Sequence, residues 1–228
     1  WGGYTDWRLP DTHELATLIQ HKASSFVDPE VFPQSGLSFP TLFWSSSSSA
    51  ANTPLPMAWA VHFLAKSINN YDKTKSFYAL CVRAGQFLFR QFEVDLVFGD
   101  RLVHDTVTGL TWQGCARGLT GESCEAGIAT TSDWRDALSY CEGLTWGGWS
   151  DWRLPNAIEI QSIMDYRFFY PPTDTAAFPN TPTYRFFTST SHPNGYFAVE
   201  AYFDGSDIDI YYKTLDHCAR CVRGGPWS

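Results

Sequence analysis

Residues 1–15, WGGYTDWRLPDTHEL, return as WGGWSDWRLPNAIEI at residues 146–160. Internal repetition of this kind constrains a chain more than any local pattern, because each copy must bury its apolar face in the same way. Past the motif both copies carry a short helical stretch, then an Asp a few residues ahead of Phe-Pro: Asp28 with Phe32-Pro33, and Asp174 with Phe178-Pro179. An aromatic and hydroxyl run follows, Phe43-Trp44-Ser45-Ser46 in one copy and Phe186-Phe187-Thr188-Ser189 in the other. Both copies close on Cys-Val-Arg, a small residue and Gly, at Cys81-Val82-Arg83-Ala84-Gly85 and Cys221-Val222-Arg223-Gly224-Gly225. The spacing between equivalent positions shortens along the repeat, so insertions and deletions fall in the loops between elements. Residues present in both copies are expected to build the unit. Those present in one copy are where a specific function is to be sought.

The second copy has a front half that the first lacks. Residues 101–113 (RLVHDTVTGLTWQ) read as two short strands around a Thr-Val-Thr-Gly turn, with Gly109 suited to the positive φ such a connection needs. Residues 132–144 (SDWRDALSYCEGL) read as a helix: Ala137, Leu138, Cys141 and Leu144 share one face, and Ser132 or Asp133 caps it. Three segments follow from this reading. Residues 1–85 are the back half of a first unit, 86–100 a joining segment, and 101–228 a complete second unit. The first copy begins inside its motif, so the chain is expected to be a fragment, a processed form or part of something longer. The joining segment (QFLFRQFEVDLVFGD) is rich in Phe, Leu and Val and is expected to be a strand or a packed connector.

Aromatic residues make up 17% of the chain and charged residues 18%, which argues for packed cores rather than disorder. A chain of 228 residues suits one large domain or two of about 100 to 150. No apolar run approaches the ~20 residues of a membrane helix.

The back-half helix has clear start signals. Asp11 precedes Glu14, and Asn156 precedes Glu159, at capping-box spacing, where each side chain satisfies a free backbone donor of the first turn. Leu15, Leu18 and Ile19 then form an apolar stripe, matched by Ile160, Ile163 and Met164. Glu14 and Glu159 are therefore caps before they are general bases. In Asp-Trp-Arg, Asp6 with Arg8 and Asp151 with Arg153 are expected to face one side of an extended strand, the Trp the other. Because both copies carry the motif, its Arg residues, with Arg83 and Arg223, are read as scaffold held by carboxylates and aromatics.

Taken together, TGLTWQ, a helix ending in Tyr-Cys, GGWSDWRLP with Glu four residues on, Phe-Pro-Asn-Thr and CVRGG resemble the domain that ends the Legionella collagen-like adhesin. The resemblance covers the second unit whole and the first in truncated form. It implies an α+β, C-type-lectin-like fold, with a pair of helices against a twisted antiparallel sheet and long loops on one side. It also implies a secreted or surface location and a role in adhesion, with sulfated glycans as ligand in the best-known member. In that family the positions of Cys141 and Cys221 are paired, tying helix to last strand.

Six cysteines in an acidic, aromatic-rich chain are compatible with an oxidising compartment. Cys115 and Cys124 lie in a Gly-rich excursion and are expected to close it on themselves. Cys81 corresponds to Cys221, and its natural partner would lie in the front half that the first copy lacks. If the chain is complete as given, Cys81 and Cys218 are left over, and as a pair they would clamp the two units together. The alternative for Cys218-Ala-Arg-Cys221, half of a zinc site or a redox pair, lacks the further ligands zinc needs.

Catalytic signatures are missing. The six histidines (His13, His21, His62, His104, His192, His217) have no equivalents between copies, and no GxSxG, HExxH or phosphate-cradling loop is present. The serine run at 45–49 has no evident base to activate it. A non-enzyme is expected, with no cofactor. One-copy features lie in the later loops of the second unit, residues 191–197 and 200–213. Asp204, Asp207 and Asp209 are close enough in sequence to share a calcium ion, but their spacing is not that of an EF-hand loop and a solvated acidic strand edge is the preferred reading. Tyr196, Tyr211 and Tyr212 are candidates for stacking on a sugar ring, with Lys213 beside them, or else strand packing residues.

A formal net charge of −8 without a Lys/Arg cluster argues against nucleic acid and against sulfated glycans. The partners that suit the chain are a neutral glycan, a surface protein or further copies of itself. Two readings of different class result: a surface adhesion or glycan-binding module with its specificity in the second unit's loops, or a structural subunit of an extracellular filament or assembly.

Overall fold

The computed structural model describes residues 3–19, 42–49, 54–65, 67–83, 92–168, 170–205 and 207–224, and for Asp207 the backbone alone. The Asp28/Phe32-Pro33 motif and the first part of the joining segment lie outside these residues.

The first unit consists of α1 (Thr12–Ala16) and strands β1 (Leu42–Ser48), β2 (Met57–His62) and β3 (Ser67–Asp72), which form one antiparallel sheet in that order. The chain then forms β4 (Phe92–Val97), β5 (Asp100–Asp105) and β6 (Leu110–Gln113), a small β7/β8 pair (Leu119–Thr120, Ala126–Gly127), α2 (Trp134–Glu142) and α3 (Ala157–Gln161). Strands β9 (Arg185–Ser191), β10 (Phe197–Tyr202) and β11 (Asp207–Tyr212) make a second three-stranded sheet, and β12 (Val222–Gly224) returns to complete a β12-β6-β5-β4 sheet.

The repeat read in the sequence is a repeat of register. Phe43↔Val61 and Trp44↔Ala60 in the first unit match Phe186↔Ala201 and Phe187↔Glu200 in the second, and both pairings carry a bulge at the same place. Ser45 Oγ donates to the Trp59 carbonyl just as Thr188 Oγ1 donates to that of Val199, so the hydroxyl run secures the bulged strand in each copy. The capping boxes form as expected, on Asp11/Glu14 and on Asn156/Glu159. Asp133 caps α2, and Gly109 takes φ 72° at the close of the β5–β6 turn, whose first amides are held by Asp105.

The expectation of an α+β, C-type-lectin-like fold is corrected. The described residues are mostly β, 38% strand against 10% helix, arranged in four small antiparallel sheets. Among the described residues no pair of helices lies against one large sheet, because two of the three helices described stop after five residues. Their ends tighten: Leu18 N bonds Leu15 O and Ile19 N bonds Ala16 O, and likewise Ile163 N to Ile160 O and Met164 N to Gln161 O. These bonds reach three residues back and turn the chain out of the α-helix. The stripe residues are still buried, Leu15 and Ile160 from the short helices and Ile19, Ile163 and Met164 from the turns that follow them.

Two clusters make the core. One runs through both units, joining Leu15, Phe43, Trp59 and Ile68 of the first to Trp112, Met164, Phe178, Phe186 and Val199 of the second. The other lies wholly in the second unit, where α2 (Ala137, Cys141) covers the opposite face of the β9–β11 sheet at Phe187 and Ala198. Strand β11 lies against β3, so the two sheets meet edge to edge.

Candidate functional site

The features shared by both copies are structural. Arg8 forks onto Glu14 through two bonds of 2.6 Å, and Arg153 onto Glu159 through two of 2.7 Å. The same Glu also accepts the backbone N–H of the capping residue, so one carboxylate fixes helix start and strand together. The Arg8 bonds hold the Glu14 carboxyl below its usual range. Arg83 reaches Asp6 and lies 3.5 Å over the Tyr4 ring, while Arg223 reaches Asp151 and lies 3.9 Å over Trp149.

Where the copies differ, the differences gather on one face of the β9–β11 sheet. Register places Arg185 where the first unit has Leu42, Glu200 where it has Ala60, and Asp209 where it has Asn69. The parallel bridges Phe43↔Tyr78 and Phe186↔Cys218 set His217 against Phe77 in the same way. An apolar patch in one unit is thus a polar cluster in the other. Since the first unit keeps the same sheet without it, the fold does not require this cluster.

Its geometry is unusual for a buried site. Arg185 donates to Tyr211 Oη at 2.9 Å, and its guanidinium is sandwiched between the Tyr211 ring at 3.7 Å and the Tyr202 ring at 4.3 Å. Below it, Glu200 Oε2 is 3.9 Å from Arg185 Nη1, and His217 Nε2 is 3.3 Å from Glu200 Oε1, too poorly aligned for a hydrogen bond. Glu200 is fully buried and His217 nearly so. Both Glu200 oxygens, both His217 nitrogens and Arg185 Nη1 find no hydrogen-bond partner among the described residues, although buried polar atoms are nearly always paired. Burial, with Asp209 adding to it against the pull of Arg185, raises the Glu200 carboxyl to about 8. Burial and the nearby Arg185 charge lower His217 to about 4. At neutral pH the pair is a protonated carboxyl beside a neutral imidazole, and Arg185 carries the charge.

The residues expected from sequence fall into two groups. Tyr211 belongs to the cluster directly; Asp209 is paired across the sheet with Glu200; Asp204 accepts from Tyr202 Oη at 2.7 Å on the rim. Tyr196 and Lys213 are at the other end of the hairpin, where the Lys213 N–H bonds the Tyr196 carbonyl. There Lys213 Nζ lies 3.9 Å over the Trp134 ring and donates to Ser191 Oγ, and Tyr196 is exposed. The Asp207 side chain lies outside the described residues, and among those described no three His, Cys, Asp or Glu side chains form a metal-holding group. Sequence reasoning missed Arg185, Glu200 and His217. The signal was there: a Glu and a His at core positions where the other copy has Ala and Phe.

Cys115 is joined to Cys124 and Cys141 to Cys221. The expected Cys81–Cys218 clamp is corrected, since both are free thiols. Cys218 is buried in the second unit's core beside Phe186, where burial raises its thiol to about 11, whereas Cys81 is on the surface of the first unit.

The Glu200 carboxyl gives a test of this geometry. A group raised from 4.5 to about 8 on folding costs nothing below pH 4.5, and its penalty builds as pH rises from 4.5 to 8 and levels off above that. Glu200→Gln, close in shape to the protonated acid, is therefore expected to match the parent in urea unfolding at pH 5 and to exceed it by on the order of 2 kcal/mol at pH 8.5. Equal destabilisation at both pH values would mean that Glu200 is an ionised partner of Arg185 instead.

The two-copy architecture has a counterpart among known families. The model described as the Lcl C-terminal domain matches residues 1–83 and again 101–223. No curated protein and no solved structure matches the chain. With most of its length matched, in two successive copies, the chain belongs to the Lcl C-terminal domain family, a bacterial adhesin-associated domain.

Proposed function

We propose that the protein is a non-enzymatic adhesion module of a bacterial surface or secreted protein, and that its second unit binds a neutral glycan through the Arg185–Tyr202–Tyr211 face. The observation that carries this reading is the replacement of Leu42, Ala60 and Phe77 by Arg185, Glu200 and His217 on a sheet of the same register. Unpaired buried polar groups destabilise a fold, and a fold that does without them in one copy retains them in the other for a use. The donors and acceptors gathered here, an Arg flanked by two tyrosines with Asp204 and Asp209 at the rim, are those that recognise sugar hydroxyls. A net charge of −8 favours a neutral over a sulfated glycan. The extracellular setting is supported by the two disulfides and the family.

A glycan array followed by calorimetry tests this. The parent chain is expected to give a saturable hit among neutral glycans. Arg185→Leu, which installs the first unit's residue, is expected to weaken that hit at least about tenfold while keeping the parent's circular dichroism. A hit of unchanged affinity in Arg185→Leu, or hits confined to sulfated glycans, would overturn the assignment.

A further inference from the structure

Strand β4 is an open edge. The other edges of the three larger sheets are occupied: β3 and β11 lie against each other, β1 and β9 are bridged by Tyr78 and Cys218, and β12 is bridged by Arg153. Strand β4 ends the β12-β6-β5-β4 order with nothing beyond it among the described residues. It pairs with β5 from Phe92↔Asp105 to Val97↔Asp100, across the two-residue turn Phe98-Gly99. Such a turn makes Val97–Asp100 a hydrogen-bonded pair, and alternation along the ladder then directs the N–H and C=O of Val94 and Leu96 away from β5, toward the open side.

The side chains on this edge are sorted by face. Val94 and Leu96, 38% and 47% exposed, are on one face, and Glu93 and Asp95, both exposed, on the other. Edges are ordinarily blunted by charged side chains, Pro or a bulge; β4 has no Pro and no bulge, and its charges, Glu93 and Asp95, are both acidic and repel only a strand of like charge. At its end Phe98 is 89% exposed and holds φ 54°, a left-handed conformation costly for a bulky residue and ordinarily given to Gly or Asn. Its ring lies over Gly148, where an added Cβ would come within 3.2 Å of it. An aromatic kept in view at such a cost indicates contact with a partner.

We propose that β4 accepts an added strand from another protein, an extended segment alternating apolar residues with Lys or Arg. The apolar residues would lie beside Val94 and Leu96, the cations opposite Glu93 and Asp95, and the backbone would complete the open ladder. Charge decides between this occupant and a second copy of the chain. An antiparallel β4–β4 pair would bring Glu93 and Asp95 of one copy against those of the other, and like charges directly opposite are destabilising.

The probe is a labelled peptide, acetyl-Lys-Val-Lys-Val-Lys-Val-amide, followed by fluorescence anisotropy with the full chain. Saturable binding is expected, falling with salt, with no binding of the peptide in which Glu replaces Lys. Val94→Pro removes a donor directed to the open edge and leaves the β5 ladder intact, and is expected to weaken binding at least tenfold. Methylation of alternate peptide amides should have the same effect without touching the protein. Glu93→Lys with Asp95→Lys should transfer preference to the Glu peptide. Binding that survives both Val94→Pro and amide methylation, or no binding of the Lys peptide at all, would overturn the proposal.

Discussion

Trp59→Ala is expected to destabilise both units together, by about 3–5 kcal/mol. The magnitude follows from burial. Trp59 has no exposed surface, and its ring meets Tyr166 edge-on at 5.3 Å. Its indole N–H donates to the Tyr166 carbonyl at 2.9 Å, so the substitution leaves a cavity and a buried acceptor short of its partner. The shared loss follows from position. Trp59 belongs to the first unit and Tyr166 to the second, and one core cluster runs through both. His13 repeats the link, its Nε2 lying 2.6 Å from the Met164 carbonyl. Calorimetry should show a single transition whose midpoint falls by roughly 10 °C for a chain of this size. Two separate transitions, with only the first displaced, would show that the units fold independently. Trp59→Phe, which keeps a ring but not the donor, should recover most of the loss.

That shared core marks a limit of what the sequence revealed. Both capping boxes, the α2 cap at Ser132 or Asp133 and the Gly109 turn were legible because each depends on residues within one short segment. The scaffold role of the Arg residues was legible only from their recurrence, since Arg83 and Arg223 lie 77 and 72 residues from Asp6 and Asp151. The capping Glu was legible as a cap but not as the second half of an Arg fork, since the spacing of Arg8 and Glu14 has meaning only once the strand turns into the helix. The fold class was taken from the resemblance, and it fails because it needs a pair of helices long enough to cover a sheet. Apolar spacing at Leu15, Leu18 and Ile19 suits a helix, yet that spacing equally serves a tight turn following a five-residue helix. The candidate site was half legible. Tyr211, Asp204 and Asp209 were marked as one-copy residues in later loops, but Arg185, Glu200 and His217 come from three separate segments, and only the sheet register unites them. Cys81 and Cys218 show the cost of elimination as an argument. Pairing what remains ignores where the chain directs each side chain, and Cys218 faces a core that Cys81 does not reach.

The cysteines that do pair are expected to contribute unequally. Cys141–Cys221 spans a sequence separation of 80, and Cys115–Cys124 one of 9. Closing a loop removes conformational freedom from the unfolded chain in proportion to the logarithm of its length, so the longer bridge contributes about 4.5 kcal/mol and the shorter about 2.5. The longer one also does what hydrophobic packing alone does weakly here. It fastens α2, a nine-residue helix with only Ala137 and Cys141 fully buried, to the segment that enters β12. That helix covers the sheet face carrying Phe187 and Ala198, next to Glu200 and His217, so its detachment would admit water to the polar cluster. Replacing Cys141 and Cys221 together by Ala is therefore expected to cost about 2 kcal/mol more than replacing Cys115 and Cys124, as read from urea midpoints. It should also reduce the loss of stability between pH 4.5 and 8 assigned to Glu200, because a solvated carboxyl titrates nearer its ordinary value. Equal costs for the two pairs would show that loop closure is not what the longer bridge supplies. An unchanged pH dependence would show that α2 stays in place without it.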